Sequence, residues 1–447
     1  MAKAQLTFPP DFLWGTATAA YQVEGNNTNS DWWAWEQADG RILHNHKSGR
    51  ASDWWENAEV DLDTAADMGT NAHRLSLEWS RIESEPSVFD HYALDRYRQI
   101  LQAMHKRGIE PMVTLHHFSN PLWLVEKGDF SSQIVVDYFQ RFTARVVDAL
   151  GDLVPKWITI NEPMVYMLMR YLVGTFPAAQ KKGLTAGLEA VKHLLMCHTA
   201  AYHTIKQTYP QAEIGVAKNF PIFQAKPGSR FPSKWWAGRV NSLFNEMWMQ
   251  AMVNGRLRSP FGSTKIPNLA GSFDFVGVNY YTRFYLKFPP SKGFYETDWG
   301  PGAVVSDGNY GEVYPAGLYQ VIKNALKYNK PIYITENGVP DADDDLRPSF
   351  LLTHLREVWR AISFCFPVMG YYHWSLVDNF EWDRGWTQRF GLIELDPETQ
   401  ARKLRRSGEL YANICHQQAI TSDMAEKYAP ELMGTMFPGE VPTGIRY

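Results

Sequence analysis

Two glutamates stand out by where they fall in the chain. Glu162 closes the run Lys156-Trp157-Ile158-Thr159-Ile160-Asn161, and Glu336 follows Pro331-Ile332-Tyr333-Ile334-Thr335. Each comes after an apolar stretch that folding must bury, so each carboxyl group is delivered at the edge of a core. Most of the 48 acidic residues are, by contrast, solvated surface charges. Pro163 biases Glu162 toward extended backbone and so toward a strand end. Gly338 permits a sharp exit just beyond Glu336. Two carboxyl groups facing each other across a cavity suit the cleavage of a glycosidic bond. One protonates the leaving oxygen, and the other acts at the anomeric carbon as nucleophile or base. The same pair could hold a divalent metal, but no HExxH or similarly tight His/Asp/Glu spacing accompanies it. The acidic run at 341–345, Asp-Ala-Asp-Asp-Asp, lacks the glycine and closing glutamate of a calcium loop. That run reads as a solvated loop and helix cap, and neither metal nor cofactor is expected.

The elements that must position such a pair can be read along the chain. Short apolar, β-rich runs occur eight times, at 12–17, 72–79, 111–117, 156–162, 213–219, 273–281, 331–337 and 368–376. Several are continuous rather than alternating, as strands covered on both faces require. Between them lie helical patterns. Over 92–108, apolar residues recur at Leu94, Tyr97, Leu101 and Met104, with basic residues in the last turn and Gly108 as a stop. Further helices are predicted at 132–151, 187–207 and 349–364. Eight strands alternating with helices predict an α/β protein, a single (β/α)8 TIM barrel over 1–447 with long βα loops. Loops at 25–70 and 282–315 should rim the mouth, and 437–447 reads as a loose tail. In such barrels the catalytic groups sit at the C-terminal ends of the strands. Glu162 and Glu336 fall there, at the ends of strands four and seven.

Composition narrows the partners. With 44 Lys+Arg against 48 Asp+Glu, the formal net charge is -4, too balanced for nucleic acid or an anionic membrane to be the main partner. The most apolar stretch, 164–174, is interrupted by Arg170 and is too short to span a bilayer. No secretory leader is visible, and Cys197, Cys365 and Cys415 form no disulfide framework, so a reducing, cytoplasmic setting is expected. Tryptophan, tyrosine and phenylalanine number 17, 22 and 24, and several stand beside carboxylates or amides, as at 30–36, 52–57 and 379–386. Such mixtures suit stacking on sugar rings while polar groups bind hydroxyls, although aromatics also fill large cores.

Seven segments, in order, resemble the signatures of glycoside hydrolase family 1, the β-glucosidase family: FLWGTATAAYQVEG (12–25), HRLSLEWSRIE (73–83), TLHHF (114–118), TINEP (159–163), GVNYY (277–281), ITENG (334–338) and YHWSLVDNFEWDRGWTQRFGL (372–392). The resemblance runs from residue 8 to about 416. It implies that Glu162 is the acid/base and Glu336 the nucleophile of a retaining, double-displacement β-glycosidase. Arg74 and Tyr281 would lie beside Glu336 and favour its ionised form, while Glu162, without a cation of its own, would keep its proton. Asn279 would support the site electrostatically. Sugar binding would fall to Gln22, His117, Asn161, Trp374, Glu381, Trp382 and Phe390, and Trp374-Ser375 matches a cis peptide of the family. Glu381 would repel a 6-phosphate, so small unphosphorylated β-glucosides, with β-galactosides and β-fucosides, are the expected substrates. Alternatives are a transglycosylating or aglycone-specialised enzyme, or a non-catalytic sugar-binding barrel. The chain departs from the family pattern at Phe118, Ser119 and Asn120, which leaves fine sugar preference open, and at Leu75 and Glu78, which changes packing around strand two but leaves Arg74 in place.

Overall fold

The computed structural model describes residues 4–177, 182–289, 299–300 and 302–438. Eight parallel strands close into a barrel: β1 (Leu13–Ala17), β2 (Ala72–Ser76), β3 (Glu110–His116), β4 (Lys156–Asn161), β5 (Glu213–Asn219), β6 (Phe275–Asn279), β7 (Ile332–Asn337) and β8 (Val368–Trp374). Each strand pairs with its neighbours in sequence, and β8 returns to β1 through Gly370 opposite Leu13 and Trp374 opposite Ala17. Every residue of β2, β4, β6 and β7 is buried. This is why these strands read as continuous apolar runs: barrel interior on one face, helices on the other.

The predicted helices form with small boundary shifts, at His91–Lys106, Val135–Leu150, Leu184–Thr208 and Arg347–Ser363. The first is capped by Asp90, whose carboxylate accepts from the backbone N–H groups of Tyr92 (2.8 Å) and Ala93 (3.1 Å). Its apolar stripe of Leu94, Tyr97, Leu101 and Met104 faces inward. Residues 25–70 are not a plain loop, since they carry helices Asp31–Glu36 and Trp54–Asp67. Their polar and acidic positions broke the expected periodicity. In the 282–315 region, Arg283–Leu286 pairs in parallel with Ile222–Ala225; residues 290–298 and 301 lie outside the described residues. The predicted tail begins later than expected, because Phe437 is still packed into the core; residues 439–447 lie outside the described residues.

The acidic run is a cap, but only part of it is solvated. Asp341 accepts from the backbone N–H groups of Leu346 (3.0 Å) and Arg347 (2.7 Å). Asp344 accepts from Ser407 N–H (2.7 Å) and pairs with Arg347. Both aspartates are buried, while Asp343 and Asp345 are exposed. Among the described residues, no helix is long and apolar enough to cross a membrane.

Candidate active site

From β2, β4, β6 and β7 and the residues just beyond them, seven polar side chains meet in one hydrogen-bonded network. Arg74 on β2, fully buried, donates to Glu336 Oε1 at 2.5 Å and to Asn161 Oδ1 at 2.6 Å. Tyr281, just beyond β6, donates to the other oxygen of Glu336 at 2.7 Å. Asn279 Nδ2 donates to Glu162 Oε1 (2.8 Å) and to Asn161 Oδ1 (3.2 Å), and its own carbonyl oxygen accepts from Thr335. Burial of Arg74, Asn161, Asn279 and Thr335 lowers the local dielectric and strengthens these bonds.

The two carboxyl groups therefore have unlike surroundings. Glu336 accepts a charge-assisted bond on one oxygen and a phenolic O–H on the other, a donor set suited to an anion. Glu162 has only amide donors, from Asn279 and from Asn219 at 3.1 Å. Burial, and next the charge of Glu336, push its pKa up to about 7. A cation that sequence reasoning missed pulls the other way: Lys218 on β5 is buried and close enough for its charge to favour ionised Glu162. Its Nζ lies 4.9 Å from the Phe220 ring centre and 4.5 Å from that of Phe244, and burial brings its own pKa down to about 7. A lysine inside the apolar run 213–219 was the available signal.

Backbone geometry corrects two expectations. Glu162 is not extended: its φ is 43° and ψ 58°, a left-handed conformation between β4 and the helix Pro163–Met167. The proline disfavours the right-handed helical region for Glu162, and the tight corner between β4 and the helix starting at Pro163 is made with Glu162 left-handed. Such strain collects where surroundings fix a functional side chain. Gly338 is needed for close approach rather than for a positive φ, since a Cβ there would lie 1.8 Å from the Trp374 carbonyl oxygen. The Trp374-Ser375 peptide is cis, as the resemblance implied.

Around the carboxyl pair lies a cavity of about 970 Å³, lined among others by His117, Asn161, Glu162, Tyr281, Glu336, Trp374, Glu381 and Trp382. His117 Nε2 accepts from Asn161 Nδ2 at 2.9 Å, which leaves the proton on Nδ1, a buried atom with no protein partner. Burial and the Arg74 charge hold that imidazole neutral. The rings of Trp374 and Trp382 stack on His117 at 6.1 and 6.0 Å. Gln22 is fully buried and does not line the cavity. Its Nε2 donates to Glu381 Oε2 (3.0 Å) and Asn379 Oδ1 (2.9 Å), while its Oε1 is unpartnered. Arg74 and Asn279 act from behind the lining residues. Phe390 is not at the cavity surface: it packs edge-on behind Tyr281 and Tyr310, at 6.1 and 5.2 Å, so it supports the phenols rather than a ligand.

Burial raises Glu381 to about 8, a shift opposed by Gln22. Burial thus favours its neutral form, and charge repulsion of a phosphate strengthens as pH rises. Two departures from the family pattern meet: the Ser119 hydroxyl donates to Glu78 Oε1 at 2.9 Å. Asn120 turns away from the cavity to bond Asp31 (2.8 Å) and Tyr166 (3.0 Å). Phe118 packs edge-on against Trp382 at 5.3 Å. Tyr310, also missed from sequence, lines the cavity beside Tyr281.

Comparison with known proteins agrees with this geometry. The model of Glycosyl hydrolase family 1 matches residues 4–420. Beta-glucosidase A of Thermotoga maritima is 31% identical, over 92% of this chain and 98% of its own. Among solved structures, a beta-glycosidase from Pyrococcus horikoshii superimposes with a TM-score of 0.87 at 36% identity, covering 95% of this chain and 98% of its own. The Thermotoga maritima beta-glucosidase in complex with glucoimidazole superimposes with a TM-score of 0.86 at 28% identity, over 93% and 99%. With an eight-stranded barrel, paired carboxyl groups at the ends of β4 and β7, and a family match across nearly the whole chain, this protein belongs to glycosyl hydrolase family 1.

Proposed function

We propose that the protein hydrolyses unphosphorylated β-glucosides, and also β-galactosides and β-fucosides, with retention of anomeric configuration. The observation that carries this reading is the unequal donor sets of the two carboxyl groups. Glu336, held by Arg74 and Tyr281, is the nucleophile. Glu162, with its raised pKa, protonates the glycosidic oxygen as the C–O bond breaks. The product of this step is a glycosyl ester on Glu336, and the free alcohol leaves. Esterification removes the charge of Glu336, the second cause of the raised value at Glu162. Glu162, left as a carboxylate by the proton transfer, is therefore better held in the ionised form and accepts a proton from the water that attacks the anomeric carbon. The C–O bond to Glu336 breaks, the sugar leaves, and both groups are restored.

His117 Nδ1, a buried donor without a protein partner on a residue that lines the cavity, is one that a sugar hydroxyl would satisfy. Asn161 would meet the 2-hydroxyl, Glu381 and Trp382 the far side of the ring, and Trp374 its apolar face. The chemistry needs only these side chains and water. The reading is tested by reaction with a 2-deoxy-2-fluoro-β-glucosyl donor bearing a good leaving group, followed by peptide mass mapping. A single fluoroglucosyl adduct on Glu336 is expected, and an adduct on any other residue would overturn the assignment.

A further inference from the structure

Glycoside cleavage moves a negative charge across the site, and the two ends of that path are provided for differently. Before reaction the charge rests on Glu336, which pairs with Arg74. Once Glu162 has given its proton to the leaving oxygen and Glu336 has become an ester, the charge rests on Glu162. Its carboxyl group is met by two amides, those of Asn279 and Asn219, and among the described residues it forms no ion pair. Behind these amides stands β5, where three successive residues address Glu162. The Ala217 carbonyl accepts from the Glu162 backbone N–H at 2.7 Å, and the Asn219 side chain donates to Oε1 at 3.1 Å. Between them Lys218 is fully buried, and its Nζ donates to the backbone carbonyl of Asn219. One residue therefore links the ammonium to the acid through hydrogen bonds.

A lysine at this place is costly. A buried ammonium loses its hydration, and Lys218 recovers one carbonyl and the rings of Phe220 and Phe244, at 4.9 and 4.5 Å. The carboxyl groups that face it are Glu162, at the end of β4, and Glu246, in the π-helical turn Ser242–Glu246. Glu246 has a cation of its own in Lys327, which leaves Glu162 as the group for Lys218 to serve. Burial favours the neutral amine, and an ionised Glu162 favours the ammonium. The countercharge thus strengthens as the acid loses its proton, in the step that breaks the glycosidic C–O bond. Its value grows with the basicity of the leaving oxygen, since a poor leaving group needs the proton and a good one departs as an anion without it.

Resting on the glycosidase reading above, we propose that Lys218 is a positioning residue for the acid step: its ammonium holds the charge that Glu162 acquires as the proton passes to the glycosidic oxygen, which fits the enzyme to leaving groups as basic as alcohols. The test compares kcat/KM at pH 6 for wild type and Lys218→Met on methyl, phenyl, p-nitrophenyl and 2,4-dinitrophenyl β-glucosides, with thermal unfolding as the check on folding. In the variant, 2,4-dinitrophenyl β-glucoside should react within about twofold of wild type, while the phenyl and methyl glucosides lose about tenfold, the scale of one charge interaction inside a protein. The plot of log kcat/KM against leaving-group pKa therefore steepens. Glu246→Gln, at a half-buried position, keeps the lysine but removes its other facing anion. Its ammonium is then neutralised at lower pH, so its plot should be steeper than that of wild type at pH 7, which tests the proposal even if Lys218→Met does not fold. Equal losses on every leaving group would mark a merely structural role and overturn the proposal, as would an unchanged slope in a folded variant. Both results leave the glycosidase reading standing, because wild type still hydrolyses the series. Failure of wild type on every member would overturn both.

Discussion

At the scale of single residues, the chemistry depends on keeping Glu162 protonated beside an anionic partner. Its value of about 7 gives the sign of the pH dependence: the acid is present below that value and lost above it, so kcat/KM should fall as pH rises through about 7. Glu162→Ala should lower kcat/KM on substrates with poor leaving groups by about 10²–10⁴-fold and remove the alkaline limb. Azide should restore turnover of activated aryl glycosides, and an unchanged pH profile in the variant would exclude Glu162 as the acid. Lys218 makes a second prediction. Its charge favours ionised Glu162, so in Lys218→Met the alkaline limb should move to higher pH, by less than about one unit because the lysine is itself only partly charged near 7. A limb that stays in place or moves to lower pH would show that Lys218 has no electrostatic hold on the acid. Sequence alone pointed to Glu162 and Glu336 because carboxylates at strand ends are conspicuous. Lys218 and Asn219 were not legible, because a lysine reads as a surface charge until its strand is seen to be covered on both sides.

At the scale of elements, strand ends do the positioning, and the tightest junction is that between β7 and β8. The missing Cβ of Gly338 is what lets the chain leaving Glu336 pass the Trp374 carbonyl. Gly338→Ala must push these strands apart. The variant should lose roughly 2–4 kcal/mol of stability and show lowered kcat, measured by thermal unfolding and by steady-state kinetics on p-nitrophenyl β-glucoside. Wild-type stability would mean the junction is more compliant than its geometry indicates. Strand positions were legible because apolar runs buried on both faces leave little freedom; β5 was bounded to the residue at 213–219. The conformation of Glu162 was not, because the rule for residues before proline describes isolated chain and the helix beginning at Pro163 overrides it. Two π-helical turns, Leu168–Val173 and Ser242–Glu246, were also invisible: an inserted residue does not change the apolar composition of a segment, only which way its side chains face.

At the scale of the molecule, loops from three different strands are tied over the barrel mouth by one buried cation. Arg170 pairs with Asp31 from the loop after β1 (2.8 Å) and with Asp129 from the loop after β3 (2.7 Å), while Tyr171 donates to Asp129 at 2.9 Å. Removing the cation leaves two buried carboxylates uncompensated, so Arg170→Leu should destabilise the fold by about 3–5 kcal/mol, read as a lowered denaturant midpoint. It should also raise KM for p-nitrophenyl β-glucoside, since Leu168 and Leu172, which line the cavity, share its turn. An unchanged midpoint would show that the rim is held by other contacts. The barrel itself was readable from eight alternating strands and helices. The cavity was not, because its walls join segments more than seventy residues apart in sequence. The central claim, a retaining glycosidase built on Glu162 and Glu336, is tested most directly by proton NMR of p-nitrophenyl β-glucoside hydrolysis, watching which anomer of glucose appears first. The account predicts β-glucose, converting slowly to the equilibrium mixture by mutarotation; initial release of α-glucose would contradict it.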